Sequence, residues 1–225
     1  MDKARSDILA RVRGKLGVRG DEITRRGRVH ARLTNPPVHV LPERALRPKP
    51  ELIKLFQAML ETAGAKVIRI RTQKALGDAV ANVLRERNMP LRVRCGADPL
   101  FRVLEGSETN LLEVLRGPAE ADDAVSLSHA AVAAAETGTM FLAAGPENPS
   151  TLNFLPETHL IAIKADNIFG PYEHAWAKLR DIYGPGQMPR TVNLISGPSR
   201  TADIEQTIVM GAHGPRHLVV FVIGG

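Results

Sequence analysis

Residues 192–210 read VNLISGPSRTADIEQTIVM. VNLI is short and apolar enough for a strand, and Gly197-Pro198 makes a turn. Ile204 and Ile208 stand four apart, as on the buried stripe of a helix over about 202–210. A strand that passes through a polar junction into a helix is the building unit of parallel sheets. The same alternation runs through the chain. Leu52, Leu55, Phe56, Met59, Leu60 and Ala63 follow helical spacing, Gly64 ends them, and KVIRI at 66–70 predicts a strand. Leu76, Ala79, Val80, Val83 and Leu84 mark a second helix ahead of LRVRC at 91–95. Strands are then predicted at 139–143 (TMFLA), 159–164 (HLIAIK) and 217–223 (HLVVFVI), with a helix carrying Tyr172, Ala175, Trp176 and Leu179 between the last two. Short strands separated by helices imply right-handed crossovers. The expected fold is a Rossmann-like α/β domain, a mostly parallel sheet with helices on both faces.

The 225 residues are 44% hydrophobic and 24% charged, which suits one main domain. That domain is expected over 51–225. Residues 1–50 precede it as a basic amphipathic helix, with Ile8, Leu9, Val12 and Leu16 on one side, and a connection rich in proline and glycine. No apolar run approaches the roughly 18 to 20 residues that span a bilayer, and residues 1–16 lack a secretory apolar core, so the cytoplasm is expected. The single cysteine, Cys95, cannot close an internal disulfide and cannot alone hold zinc or an iron–sulfur cluster. No cofactor is therefore expected in this chain. The histidines His30, His39, His129, His174 and His217 show no ligand spacing with one another or with Cys95, so no metal site is expected.

The net charge of +6 would suit nucleic acid if it covered a recognition face. It does not: residues 1–34 hold ten Lys/Arg against four Asp/Glu, and the rest of the chain holds twenty of each. With aromatics at 4% and no stacking motif, nucleic acid is not an expected partner.

Polar chemistry concentrates in three places. The junction supplies Ser196, Gly197, Ser199, Arg200, Thr201 and Asp203. A turn with Thr201 as N-cap and Asp203 in the first helical turn explains part of it. Ser199 beside Arg200 exceeds that need, since a hydroxyl and a planar cation ahead of helix N–H groups suit a carboxylate or phosphate. In open α/β sheets such a site is expected outside the carboxyl ends of the strands. The second place is Glu136-Thr137-Gly138-Thr139, after a run of alanines. A carboxylate in an apolar crevice suits general-base or nucleophilic work, and a surface glutamate in a loop is the plainer alternative. The third is His213 in GAHGPRH, a candidate acid or base between two glycines or else a structural histidine. His159, opening HLIAIK, reads more strongly as structural. The chain has no GxGxxG after a strand, no GxxxxGK[ST] and no GxSxG, which removes dinucleotide, P-loop and serine-hydrolase readings.

Three stretches, AETGTMFL at 135–142, FLPETHLIAI at 154–163 and ISGPSRTADIEQTIVMGAHGP at 195–215, resemble the LUD-domain family and within it the lactate-utilization protein C group. The preceding TLNFLP departs from that group's Ser-Leu-Leu-Pro run. The resemblance implies a fold like that of the sugar-phosphate isomerase and CoA-transferase group. It also implies work alongside partner proteins, one carrying iron–sulfur clusters, in oxidising L-lactate to pyruvate. On that reading Glu136 and His213 move protons, while Thr137, Gly138, Thr139, Ser196, Gly197, Ser199, Arg200, Thr201 and Asp203 hold a small anion. Two alternatives stay open: a stand-alone transferase- or isomerase-like enzyme on a phosphorylated or acyl-CoA metabolite, and a non-catalytic assembly subunit whose basic arm docks an acidic partner.

Overall fold

The computed structural model describes residues 2–37, 40–105, 111–184, 186–204 and 207–224. The chain divides into two units, Met1–Val40 and Leu41–Gly225. The first holds α1 (Asp2–Leu16) and α2 (Ile23–Thr34). Gly17 ends α1 at φ +63°, with Val18 N donating to Arg13 O, a left-handed cap that the sequence signals by its glycine. The apolar side of α1 (Ile8, Leu9, Val12, Leu16) is exposed, and α2 buries no residue. The sequence reads residues 17–50 as a connection because glycine, arginine and proline interrupt them, and the structure places the helix α2 within that stretch.

The second unit runs through α3 (Lys49–Thr62), β1 (Lys66–Ile70), α4 (Leu76–Glu86), β2 (Arg92–Cys95), a 3-10 helix (Pro99–Leu104), β3 (Glu113–Arg116) and β4 (Val125–His129). It continues with β5 (Val132–Ala134), β6 (Thr139–Ala143), a 3-10 turn (Ser150–Asn153), β7 (Thr158–Lys164), β8 (Ile168–Phe169) and α5 (Tyr172–Tyr183). Last come β9 (Val192–Ile195), β10 (Arg200–Ile204), β11 (Thr207–Met210) and β12 (His217–Ile223). The main sheet has the order β1-β12-β7-β4-β2-β3 with every pair parallel. The expected parallel α/β architecture is thus the observed one.

Strand alternation separates two cores. Val219 and Phe221 of β12 and Leu160 and Ala162 of β7 face α4 and the Pro99–Leu104 helix. Leu218, Val220, Val222, Ile161 and Ile163 face the other way, onto Leu52, Ile53, Phe56 and Leu60 of α3 and onto a second sheet of order β8-β5-β6-β9. Beyond that sheet, α5 packs Ala175 and Leu179 against Val132, Ala134 and Phe141. The alanine-rich run 130–135 is explained by this sandwich. Ala133 and Ala135 face the main sheet while Val132 and Ala134 face α5, so the strand is squeezed from both sides and only small side chains fit.

One predicted element is wrong. Residues 202–210 do not form a helix: Arg200–Ile204 and Thr207–Met210 are the strands of an antiparallel hairpin, with Arg200 opposite Met210 and Thr201 opposite Val209. The physical reason is composition. Thr201, Ile204, Thr207, Ile208 and Val209 are β-branched, which favours extended backbone over a helix stabilised only by a four-residue repeat. Thr201 is therefore a strand residue and caps no helix there.

Candidate functional site

β9 ends at Ile195, and the loop Ser196–Ser199 folds back against the segment that leads into β12. Ser199 N donates to Pro215 O at 2.8 Å, and Gly211 N donates to Ser199 O at 2.9 Å. These bonds bring Ser199 and His213 to one cavity of about 200 Å³, which Ser196, Gly197, Asn153 and His159 also line. The cavity lies where β7 and β12 begin, so it opens at the amino ends of those strands. The expectation that these residues gather at the carboxyl ends is thus reversed, because β9 enters the second sheet antiparallel to β6 and delivers its loop to the opposite edge.

The cavity floor holds Asn153, from the TLNFLP stretch that departs from the family's run, and His159, which the sequence suggests is structural. Asn153 and His159 are each 1% exposed. Ser128 Oγ donates to Asn153 Oδ1 at 3.2 Å, and His159 Nε2 lies 2.9 Å from the same Oγ. A hydroxyl has one proton, and here it is committed to the amide oxygen. His159 Nε2 must then be the donor, which leaves Nδ1 as a bare acceptor. Among the described residues neither His159 Nδ1 nor Asn153 Nδ2 has a partner. Burial pushes the His159 pKa down to about 3, so the ring is neutral at physiological pH, with its one hydrogen on Nε2 and Nδ1 an acceptor. The floor is pinned from behind, since Ser126 Oγ donates to Leu152 O at 2.6 Å and ties the Ser150–Asn153 turn to β4. A buried donor and a buried acceptor without partners cost free energy unless something fills them.

The Glu136 tract is the turn joining β5 and β6. Gly138 sits at φ +66°, and a Cβ there would come 3.0 Å from Leu60 N, so this glycine serves both the turn and the seat of α3. Glu136 is 7% exposed and does not line the cavity. Its Oε1 accepts from Tyr172 N at 2.9 Å, at the first residue of α5, and Arg44 stands 3.9 Å from Oε2. The carboxylate thus caps a helix N-terminus, where the dipole favours negative charge. The neighbouring hydroxyls do not line the cavity but are hydrogen-bonded to Ser196, which does. Thr139 Oγ1 is 2.7 Å from Thr137 Oγ1, 2.6 Å from Tyr172 Oη and 2.7 Å from Ser196 Oγ. A continuous chain of hydroxyls therefore joins the two tracts that the sequence singles out. Arg200 goes elsewhere: it is exposed, and its guanidinium lies over Gly64 at the C-terminal end of α3, a favourable place for a cation. Thr201 lies in β10 away from the cavity lining, and the side chain of Asp203 is outside the described residues.

The iron–sulfur cluster implied for a partner has no fitting ligand set here. Cys95 is the only cysteine in the sequence, its thiol is buried with its pKa pushed up to about 11, and among the described residues no three His, Cys, Asp or Glu side chains group to hold a metal. No described helix is long and apolar enough to cross a membrane.

The parallel main sheet and the mixed second sheet packed on it define an α/β domain. Residues 53–223 match the LUD domain, and the chain belongs to that family. It is similar to an uncharacterized protein of Neisseria meningitidis serogroup B, 40% identical over 89 residues that cover 40% of this chain and 37% of the relative. It is also similar to a lactate utilization protein C of Geobacillus sp. strain WCH70, 33% identical over 100 residues covering 44% and 42% of the two chains. The chain thus matches well under two thirds of these relatives' own length. Among solved structures, a DUF162 family protein from Deinococcus radiodurans shares the fold, with a TM-score of 0.59 and 23% identity over 79% of this chain and 99% of that one.

Proposed function

We propose that this chain is a component of a lactate-oxidising system and binds a small hydroxy carboxylate such as L-lactate in the cavity between Ser199, His213, Asn153 and His159. The observation that carries the reading is the unfilled pair on the cavity floor, one donor and one acceptor. A hydroxyl can donate to His159 Nδ1 while a carboxylate oxygen accepts from Asn153 Nδ2, with the Ser196 and Ser199 hydroxyls at the rim for the second oxygen. No lysine or arginine is among the described lining residues, which favours a monoanionic carboxylate over a phosphate ester or a CoA thioester. The name carried by the Geobacillus relative supports lactate as the member of this class. Electron transfer belongs to iron–sulfur partner proteins on this reading, and this chain's share is to bind and orient.

The test is calorimetric titration of the purified chain with L-lactate and with a sugar phosphate. Lactate binding that weakens about ten- to a hundredfold in Asn153→Ala, the worth of one hydrogen bond to a charged group, supports the reading. Absence of lactate binding, or binding that Asn153→Ala leaves unchanged, refutes it. Turnover of the sugar phosphate by the chain alone would put a stand-alone enzyme in its place.

A further inference from the structure

The floor of the cavity is polar on one side only, and the order β12-β7-β4 in the main sheet sets the division. His159 of β7 is level with Ser126 on β4 and with Leu218 on β12. Side chains level with one another in neighbouring strands leave the sheet on the same face. Towards β4 the His159 ring therefore meets hydroxyls: Ser126 and Ser128, which hold the Leu152–Asn153 turn by hydrogen bonds of 2.6 and 3.2 Å. Towards β12 it meets carbon. Leu218 is 3% exposed and belongs to the apolar layer that includes Ile161 and Val220.

The walls continue the apolar side. Ile195, which packs on that same layer, lines the cavity together with Pro198 and Pro215. Phe154, the residue after Asn153, reaches the rim. A β-carbon on Gly214 would stand 3.9 Å from Phe154 Cδ1 and 3.5 Å from Ser199 Cβ, so the aromatic ring, the glycine and the serine meet there. The ring is 47% exposed, and Gly214 sets no side chain beside it.

A hydroxy carboxylate held by His159 Nδ1 and Asn153 Nδ2 satisfies the polar side and leaves the apolar side to whatever its carbon chain supplies. Lactate supplies one methyl group. Water is a poor filler for the remainder, because an ordered water needs two to four polar partners and carbon walls offer none. A longer chain removes more apolar surface from water on both partners.

We propose that this apolar side, Leu218, Ile195 and Pro215 with the Phe154 ring at the rim, is a side-chain subsite for the C2 substituent of a 2-hydroxy acid, and that it favours an unbranched chain longer than the methyl of lactate. The proposal rests on the binding mode given above and adds to it the feature that ranks one hydroxy acid against another. Phe154 acts here as a specificity residue, since it touches the chain of the ligand and none of its polar groups.

The test is calorimetric titration of the full chain with glycolate, L-lactate and L-2-hydroxybutyrate, which differ by one carbon at each step and share the groups that meet the polar side. Burial of a methylene corresponds to about fourfold in affinity, so each step should tighten binding by about that factor. In Phe154→Ala, at a half-exposed position where folding is not at stake, the step from lactate to hydroxybutyrate should shrink to about twofold or less, because part of the surface that covers the added carbon is gone. Lactate binding as tight as hydroxybutyrate, or tighter, overturns the subsite while leaving the lactate reading in place. A step of unchanged size in Phe154→Ala likewise overturns the proposal as drawn. Binding of none of the three acids removes the subsite and the lactate reading together.

Discussion

Replacing Glu136 separates a carboxylate that caps a helix from one that acts on a ligand. In the structure its Oε1 accepts from Tyr172 N at 2.9 Å, on a side chain that is 7% exposed, and no side chain from Pro171, the residue preceding α5, supplies a cap. A hydrogen bond to a charged group is worth about 1.5–3 kcal/mol and a neutral one about 1 kcal/mol. Glu136→Gln keeps an acceptor oxygen but removes the charge from the helix N-terminus, so the expected loss is about 1 kcal/mol. Glu136→Ala leaves the Tyr172 N–H without this partner, and the expected loss is about 2–3 kcal/mol. Arg44 adds little, being 62% exposed and 3.9 Å away. For a chain of this size each kcal/mol moves the melting temperature by about 2–4 °C. The alanine variant should therefore melt several degrees below wild type, the glutamine variant should lie between them, and lactate affinity should hold in both at temperatures where they are folded. Denaturant titration with parallel calorimetry reads both quantities. A glutamine variant as stable as wild type that no longer binds ligand would refute the capping account and return Glu136 to the chemistry.

Two further outcomes follow from buried titratable groups. Because burial lowers the His159 pKa from 6.5 to about 3, the unfolded chain takes up a proton below pH 6.5 that the native state refuses. Stability should fall as pH drops from 6.5 towards 3, and His159→Gln should flatten that slope; parallel wild-type and variant curves would show that His159 is not buried neutral. His217 is shifted the same way, so a residual slope in the variant is expected. The Cys95 thiol, raised to about 11 chiefly by burial, should resist alkylation at neutral pH and label only as denaturant unfolds the chain, whereas labelling of native protein at the rate of a free thiol would contradict its placement.

The elements that could be read from sequence are those whose burial is one-sided. α3 shows Leu52, Phe56 and Leu60 at helical spacing because only that face meets the sheet, and β12 reads as a continuous apolar run because both its faces are covered. Legibility failed where a segment's neighbours come from far along the chain. β5 is three residues of valine and alanine whose strand character depends on β6, β8 and α5 being in place around it. The hairpin β10–β11 failed differently: a four-residue apolar repeat satisfied the helix template by coincidence, and the β-branched content that decides against it was the better guide.

The candidate residues divided along the same physical line. Hydroxyls can be placed by sequence because loops after strands gather them, and Ser196, Ser199 and His213 do meet at one cavity. Charges misled, because Glu136 and Arg200 each found a helix terminus to neutralise, Glu136 at the start of α5 and Arg200 at the end of α3. What lay beyond the sequence was the polar floor. Ser128, Asn153 and His159 come from β4, a 3-10 turn and β7, and nothing in a linear reading says that one serine proton will fix the tautomer of a histidine 31 residues away.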